Sequence, residues 1–127
     1  MLVEVAGEAA PIILDLGTGA RYLGADLVAR HPEGSLRATA LITHLHWDHI
    51  QGLPFFQPLN TKGNSVRIYG AAQEGIPLEE ILDRQMDPVV FPVPLKALAR
   101  QLDVEVLEVV RARAADADFF QVRWTER

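Results

Sequence analysis

Six residues constrain this chain more than any others: His44-Leu45-His46-Trp47-Asp48-His49, which directly follow the short apolar run Thr39-Ala40-Leu41-Ile42-Thr43. Three of the four histidines in the chain, together with a carboxylate, fall in that one window. A short apolar run bounded by turn residues reads as a buried strand, so the fold has to bring the end of a strand to a place where imidazoles can be used. Residues two apart in extended chain point the same way. His44 and His46 are therefore expected to face one ion as the strand ends. The chain then turns, and the adjacent side chains of Asp48 and His49 diverge toward a second position. Imidazole and carboxylate suit zinc, with manganese or iron as further choices. The alternative, histidines that merely decorate a loop or sit as polar groups in the core, fits a lone histidine better than this cluster. In α/β sheets the C-terminal ends of strands are also where sites usually form.

The rest of the composition narrows the chemistry. The chain has no cysteine, which excludes disulfides, thiolate metal sites and cysteine nucleophiles. With 127 residues, 49% of them hydrophobic and 23% charged, it reads as one globular domain over residues 1–127, long enough to bury a core. The net charge of −5 argues against a general nucleic-acid clamp, since phosphate-driven binding needs clustered Lys and Arg. It leaves room for an enzyme that meets a phosphate ester through a metal ion. No apolar run is long enough to span a bilayer, and Met1-Leu2-Val3-Glu4-Val5 lacks the pattern of a signal peptide. The expected location is the cytoplasm, with no membrane partner.

Along the chain, Pro11–Leu16 reads as a buried strand with Asp15 near its end, followed by the turn Gly17-Thr18-Gly19. A helix fits Ala20 to about His31, stopped by Pro32 and Gly34. A strand over Thr39–Thr43 runs straight into the histidines, and Ile50, Leu53, Phe55 and Phe56 then suggest a short helix or turn. Val66–Tyr69 is a strand, and Ile76–Met86 a helix opened by Pro77. Three prolines make Asp87–Pro94 irregular. One or two helical turns fit Leu95–Arg100, and Leu102, Val104 and Val106 alternate as a half-buried strand whose apolar phase shifts at Leu107, the mark of a bulge. Phe120, Val122 and Trp124 suggest a final strand. This order of elements is that of an α/β fold.

The segment Thr43-His44-Leu45-His46-Trp47-Asp48-His49-Ile50-Gln51-Gly52-Leu53-Pro54 resembles the signature of the metallo-β-lactamase superfamily, and Ile13-Leu14-Asp15-Leu16-Gly17-Thr18-Gly19 is similar to its first motif. The stretches from Gly52-Leu53-Pro54-Phe55-Phe56 through Gly63-Asn64, Ile68-Tyr69-Gly70 and Gln85-Met86 to Phe91-Pro92-Val93-Pro94 look most like the phosphodiesterase branch, which includes ribonuclease Z-like and cyclic-phosphate phosphodiesterase-like hydrolases. The resemblance implies an αββα sandwich, a mixed β-sheet flanked by helices, of which this chain would supply the N-terminal half as a truncated domain. It implies His44 and His46 on a first zinc and Asp48 and His49 on a second. Asp15 would act from behind, orienting the ligands. Phosphodiester hydrolysis by a metal-bound hydroxide would follow, with Asp48 both a ligand and the residue that orients the nucleophile. Asp15 also reads as a plain strand-end or helix-capping aspartate, and Trp47 as either a wall of the site or a core residue.

The same resemblance calls for a third histidine on the first metal, a bridging aspartate and a late histidine, yet no histidine follows His49. Asp83, Asp87, Asp103, Asp116 and Asp118 come later, none in a segment that matches the bridging position. Two further readings follow: a non-catalytic fragment or half of a split enzyme that needs a complementary chain, and a lactone, thioester or β-lactam hydrolase of the same superfamily. An incomplete sandwich would leave an apolar sheet face open, so a homodimer or a complementary chain is the expected partner, beside a small-molecule or nucleotide phosphodiester substrate.

Overall fold

The computed structural model describes residues 1–101, 103–108, 112–114 and 117–119. Five strands form one mixed sheet in the order of the chain: β1 (Leu2–Val3), β2 (Ile12–Leu14), β3 (Arg37–Leu41), β4 (Ser65–Gly70) and β5 (Asp103–Glu108). The strand β1 lies antiparallel to β2, and β2 to β5 run parallel. Parallel neighbours need crossovers. The first is α1 (Ala20–Arg30). The second is α2 (Trp47–Ile50) with two 3₁₀ turns, Leu53–Phe55 and Gln57–Asn60. The third is α3 (Leu78–Arg84) with α4 (Leu95–Gln101). The chain is thus α/β, as its pattern predicts.

Because the strand order never reverses, right-handed crossovers place all three connections on one face of the sheet. Burial agrees. Ile13, Ala38, Ala40, Val66, Ile68 and Val104 are buried with Leu27, Phe56, Leu82 and Met86 in one core. The residues that alternate with them (Ile12, Leu14, Thr39, Leu41, Arg67, Tyr69 and Leu107) are only partly buried. Gly24 shows how closely α1 seats: a Cβ there would lie 2.9 Å from the Gln57 nitrogen and 3.0 Å from the Phe56 ring.

Several expectations need correction. The strand before the histidines ends at Leu41, not Thr43. Its ladder continues by one bond, from the Ile42 N–H to the Tyr69 carbonyl, and then Thr43 is diverted by Asp15. No bulge marks Leu107: β4 and β5 pair residue for residue from Ser65↔Asp103 to Gly70↔Glu108, and the phase shift reflects two partly buried faces. Pro77 stands just before the first residue of α3 rather than within it. The expected strand at Phe120, Val122 and Trp124 lies outside the described residues, as does Leu102. Beyond β5, β6 (Ala112–Ala114) and β7 (Ala117–Phe119) pair antiparallel as a separate two-stranded sheet.

Candidate metal and hydrolytic site

Asp15 is the centre from which the site is built. It follows β2 with a φ of 60°, a left-handed conformation that Asp tolerates better than most residues. Its N–H donates to the Leu41 carbonyl, so the β2 and β3 ends are tied at this point. One carboxylate oxygen accepts the Thr43 N–H at 2.8 Å, and the Thr43 hydroxyl lies 2.9 Å from both oxygens. The other oxygen accepts His49 Nδ1–H at 2.8 Å. Burial pushes the Asp15 carboxyl up, but the Thr43 N–H, His49 and the Thr43 hydroxyl together outweigh it and hold the group below its ordinary value. The helix-capping alternative for Asp15 is overturned: α1 begins at Gly19 and Ala20 with no side-chain cap.

This arrangement fixes ring orientation. Since His49 Nδ1 donates to Asp15, its Nε2 faces away from the network. The Thr43 hydroxyl donates to Asp15 and therefore accepts from His44 Nδ1 at 3.2 Å, which leaves His44 Nε2 as the lone-pair nitrogen. Asp15 thus sets one imidazole directly and another through Thr43. The three rings gather: His44 lies 3.9 Å from His49 and 4.7 Å from His46, centroid to centroid. His46 precedes the first residue of α2 and is exposed.

Asp48 projects from the first turn of α2, with its Oδ2 3.3 Å from His49 Nε2. His49 therefore has a carboxylate at each nitrogen. The hydrogen bond to Asp15 raises its pKa above the ordinary value, burial opposes this, and the charges of Asp15 and Asp48 add to the rise. An unprotonated Nε2 would face the Asp48 carboxylate with two lone pairs and no proton between them. That pairing asks for a cation, either a proton or a metal ion, and the donor types suit zinc, manganese or iron. His44, His46, Asp48 and His49 would hold the ion or ions, with Asp15 behind them. Among the described residues, no three or more His, Asp or Glu side chains are placed so that together they could hold a metal ion.

Backbone contacts hold the two motif loops together. Leu16 N–H donates to the His49 carbonyl, and Gly52 N–H donates to the Leu16 carbonyl, each at 2.8 Å. Gly52 is required here, because a Cβ would lie 1.9 Å from the Gly17 carbonyl oxygen. From the other side, Gln73 Oε1 accepts the Leu45 N–H and Gln85 Nε2 donates to the Ile50 carbonyl. A cavity of about 650 Å³ opens beside Asp15, Asp48 and His49, and runs along Gly17-Thr18-Gly19 toward Met1 and Leu23.

The five residues expected from the sequence (Asp15, His44, His46, Asp48 and His49) thus come together. Trp47 does not pack in the core: it is 69% exposed. Of the later aspartates, Asp83 sits near Lys96, Asp87 accepts the Val89 N–H and Asp103 holds Arg67. Asp116 lies outside the described residues. Thr43, Gln73 and Gln85 were not legible as site residues. Thr43 acts through its position between Asp15 and His44, and the glutamines through backbone groups that only the fold brings near. No known family matches the chain, and neither a curated protein nor a solved structure matches it.

Proposed function

We propose that this chain is a metal-dependent hydrolase of the metallo-β-lactamase type, its mixed sheet part of an αββα sandwich, acting on phosphodiesters. One observation carries the reading: Asp15 orients His49 directly, leaving its Nε2 beside the Asp48 carboxylate, and orients His44 through Thr43. Carboxylates placed behind imidazoles in this way fix the tautomer and raise ligand basicity in metal sites generally. A divalent ion, when bound, supplies Lewis-acid polarisation of the phosphoryl group and an activated water. The chain's own residues do the rest. Asp15 keeps Nδ1 of His49 protonated, so that its other nitrogen is the donor. Asp48, exposed at the start of α2, can hold a proton from the attacking water or orient it. The adjacent cavity receives the ester. The preference for a phosphodiester rests on the resemblance over Gly52–Pro94.

The test is hydrolysis of bis(p-nitrophenyl) phosphate with added zinc or manganese. The expected result is activity that falls by about 100-fold or more in His46→Ala and in Asp48→Ala, as loss of a metal ligand or proton-handling group costs. Activity that survives both substitutions assigns the hydrolysis to another site.

A second reading rests on the further histidines that the resemblance calls for and that do not follow His49 in this sequence. Here the chain binds metal weakly alone and works with a complementary chain or a second copy that supplies ligands. Metal titration by calorimetry separates the two readings: tight two-ion stoichiometry in the isolated chain sets this second one aside.

A further inference from the structure

A second cavity, of about 290 Å³, lies over the start of α1 and is lined by Thr18, Arg21, Tyr22, Gln51, Gly52 and Phe55. Thr18 also lines the larger cavity beside Asp48 and His49, so the two hollows share a wall. Two of its side chains are aromatic and exposed: Tyr22 is 78% and Phe55 57% exposed. Phe55 is braced rather than loose. Phe91 meets it edge to face, with ring centroids 5.9 Å apart and planes at 87°. Phe91 is in turn held by its N–H donating to the Asp87 carbonyl, in a turn whose Val89 N–H donates to the Asp87 side chain. The proline-rich loop thus places Phe91 against Phe55.

The cation in this hollow is equally unusual. Arg30, Arg67 and Arg84 pair with carboxylates, and Arg37 donates to the Leu36 and Gly63 carbonyls. Arg21 has no such partner among the described residues. A guanidinium beside exposed ring faces in a concave site suits a flat ring with a negative group attached: the ring stacks, the anion takes the fork of Arg21, and Gln51 can donate and accept at a heteroatom. The volume is at the low end for ligand sites and admits a ring with a short arm, not a polymer.

We propose that this hollow is a binding subsite for an aromatic heterocycle bearing an anionic arm, the chemistry of a nucleoside monophosphate. Binding is read without turnover, so the proposal is separable from the hydrolase reading. The full chain is titrated calorimetrically with adenosine 5′-monophosphate in the presence of a chelator, with adenosine and ribose 5-phosphate as partial probes. Saturable binding of the monophosphate is expected. Phe55→Ala should weaken it about tenfold, the scale of one base–aromatic stack. Arg21→Gln should weaken the monophosphate by a similar factor while leaving adenosine unchanged. Circular dichroism verifies that the exposed-site variants stay folded. Failure of the monophosphate to saturate, or an affinity indifferent to both Phe55→Ala and Arg21→Gln, overturns the proposal. So does ribose 5-phosphate binding as tightly as the nucleotide, because the ring then contributes nothing.

Discussion

At the scale of single residues, the site depends on two groups that hold others in place. The first is the Asp15 carboxylate, which raises the His49 pKa above the ordinary 6.5 while its own lies below 3.8. A raised histidine contributes stability that is full below 6.5 and fades as pH rises through its folded value. A lowered aspartate contributes stability that is full above 3.8 and fades as pH falls through its folded value. In the metal-free protein the pair therefore contributes most between about 3.8 and 6.5. Asp15→Asn keeps an acceptor but removes the charge, so the His49 titration, followed by NMR of the ring, should move back down toward 6.5. An unchanged titration would show that the Asp15 charge does not act on His49. The second is the Gly17 carbonyl oxygen, against which Gly52 leaves no space for a Cβ. Both partners are backbone and cannot rotate away, so Gly52→Ala should destabilise by about 1–3 kcal/mol, the usual cost of overpacking. Urea denaturation measures this, and metal affinity should fall with it, because the Gly52 N–H bond to the Leu16 carbonyl joins the histidine loop to the Asp15 loop.

At the scale of elements, the supports of the site are buried apolar contacts on one side of the sheet. Phe56 is fully buried and meets α1 at Gly24. Phe56→Ala should cost about 3–5 kcal/mol, the range for deleting a core ring, and thermal unfolding should register the loss. Such elements were legible in proportion to how local their causes are. The strand at Ile12–Leu14, the helix at Ala20–Arg30 and the strand at Ser65–Gly70 follow from short apolar runs and helical spacing closed by Gly or Pro. The end of β3 was not legible, because Ile42 and Thr43 have strand-forming side chains and only the Asp15 carboxylate, 28 positions earlier, draws the Thr43 N–H out of the ladder. The bulge expected at Leu107 failed for a related reason. Alternation predicts which face a residue takes only when one face is buried and the other wet, and here Val106 and Leu107 are both half-buried. In the site, residue type and spacing singled out His44, His46, Asp48, His49 and Asp15. Thr43 escaped because a threonine before a histidine has no chemical signature until an acceptor is placed against it.

At the scale of the molecule, the arrangement of crossovers decides what else the chain can do. With every described helix on one side, the second face of the sheet is read from the register. Leu14, Leu41, Tyr69 and Leu107 are paired across β2, β3, β4 and β5 and form one row. The next row is Ile12, Thr39, Arg67 and Glu105, and the third is Arg37, Ser65 and Asp103. The face thus grades from apolar to polar, and its apolar end is the C-terminal end of the strands, where the histidines stand. Arg67 bridges Asp103 and Glu105, which satisfies the polar end internally. Leu14, Leu41 and Leu107 are only half-buried at the apolar end, and we predict a partner over them, beside the histidines. Self-association through that row is the expected outcome, with a mass near twice 14.1 kDa by size-exclusion chromatography with light scattering. Leu41→Lys places a charge in the middle of the row, on the face opposite the helix-side core, and should shift the population to monomer by about tenfold or more with the circular dichroism retained. A wild-type chain that runs as a monomer and binds no apolar dye would remove the association. If Leu41→Lys unfolds the protein instead, the row is part of the chain's own core, and a second copy is not what the sheet requires.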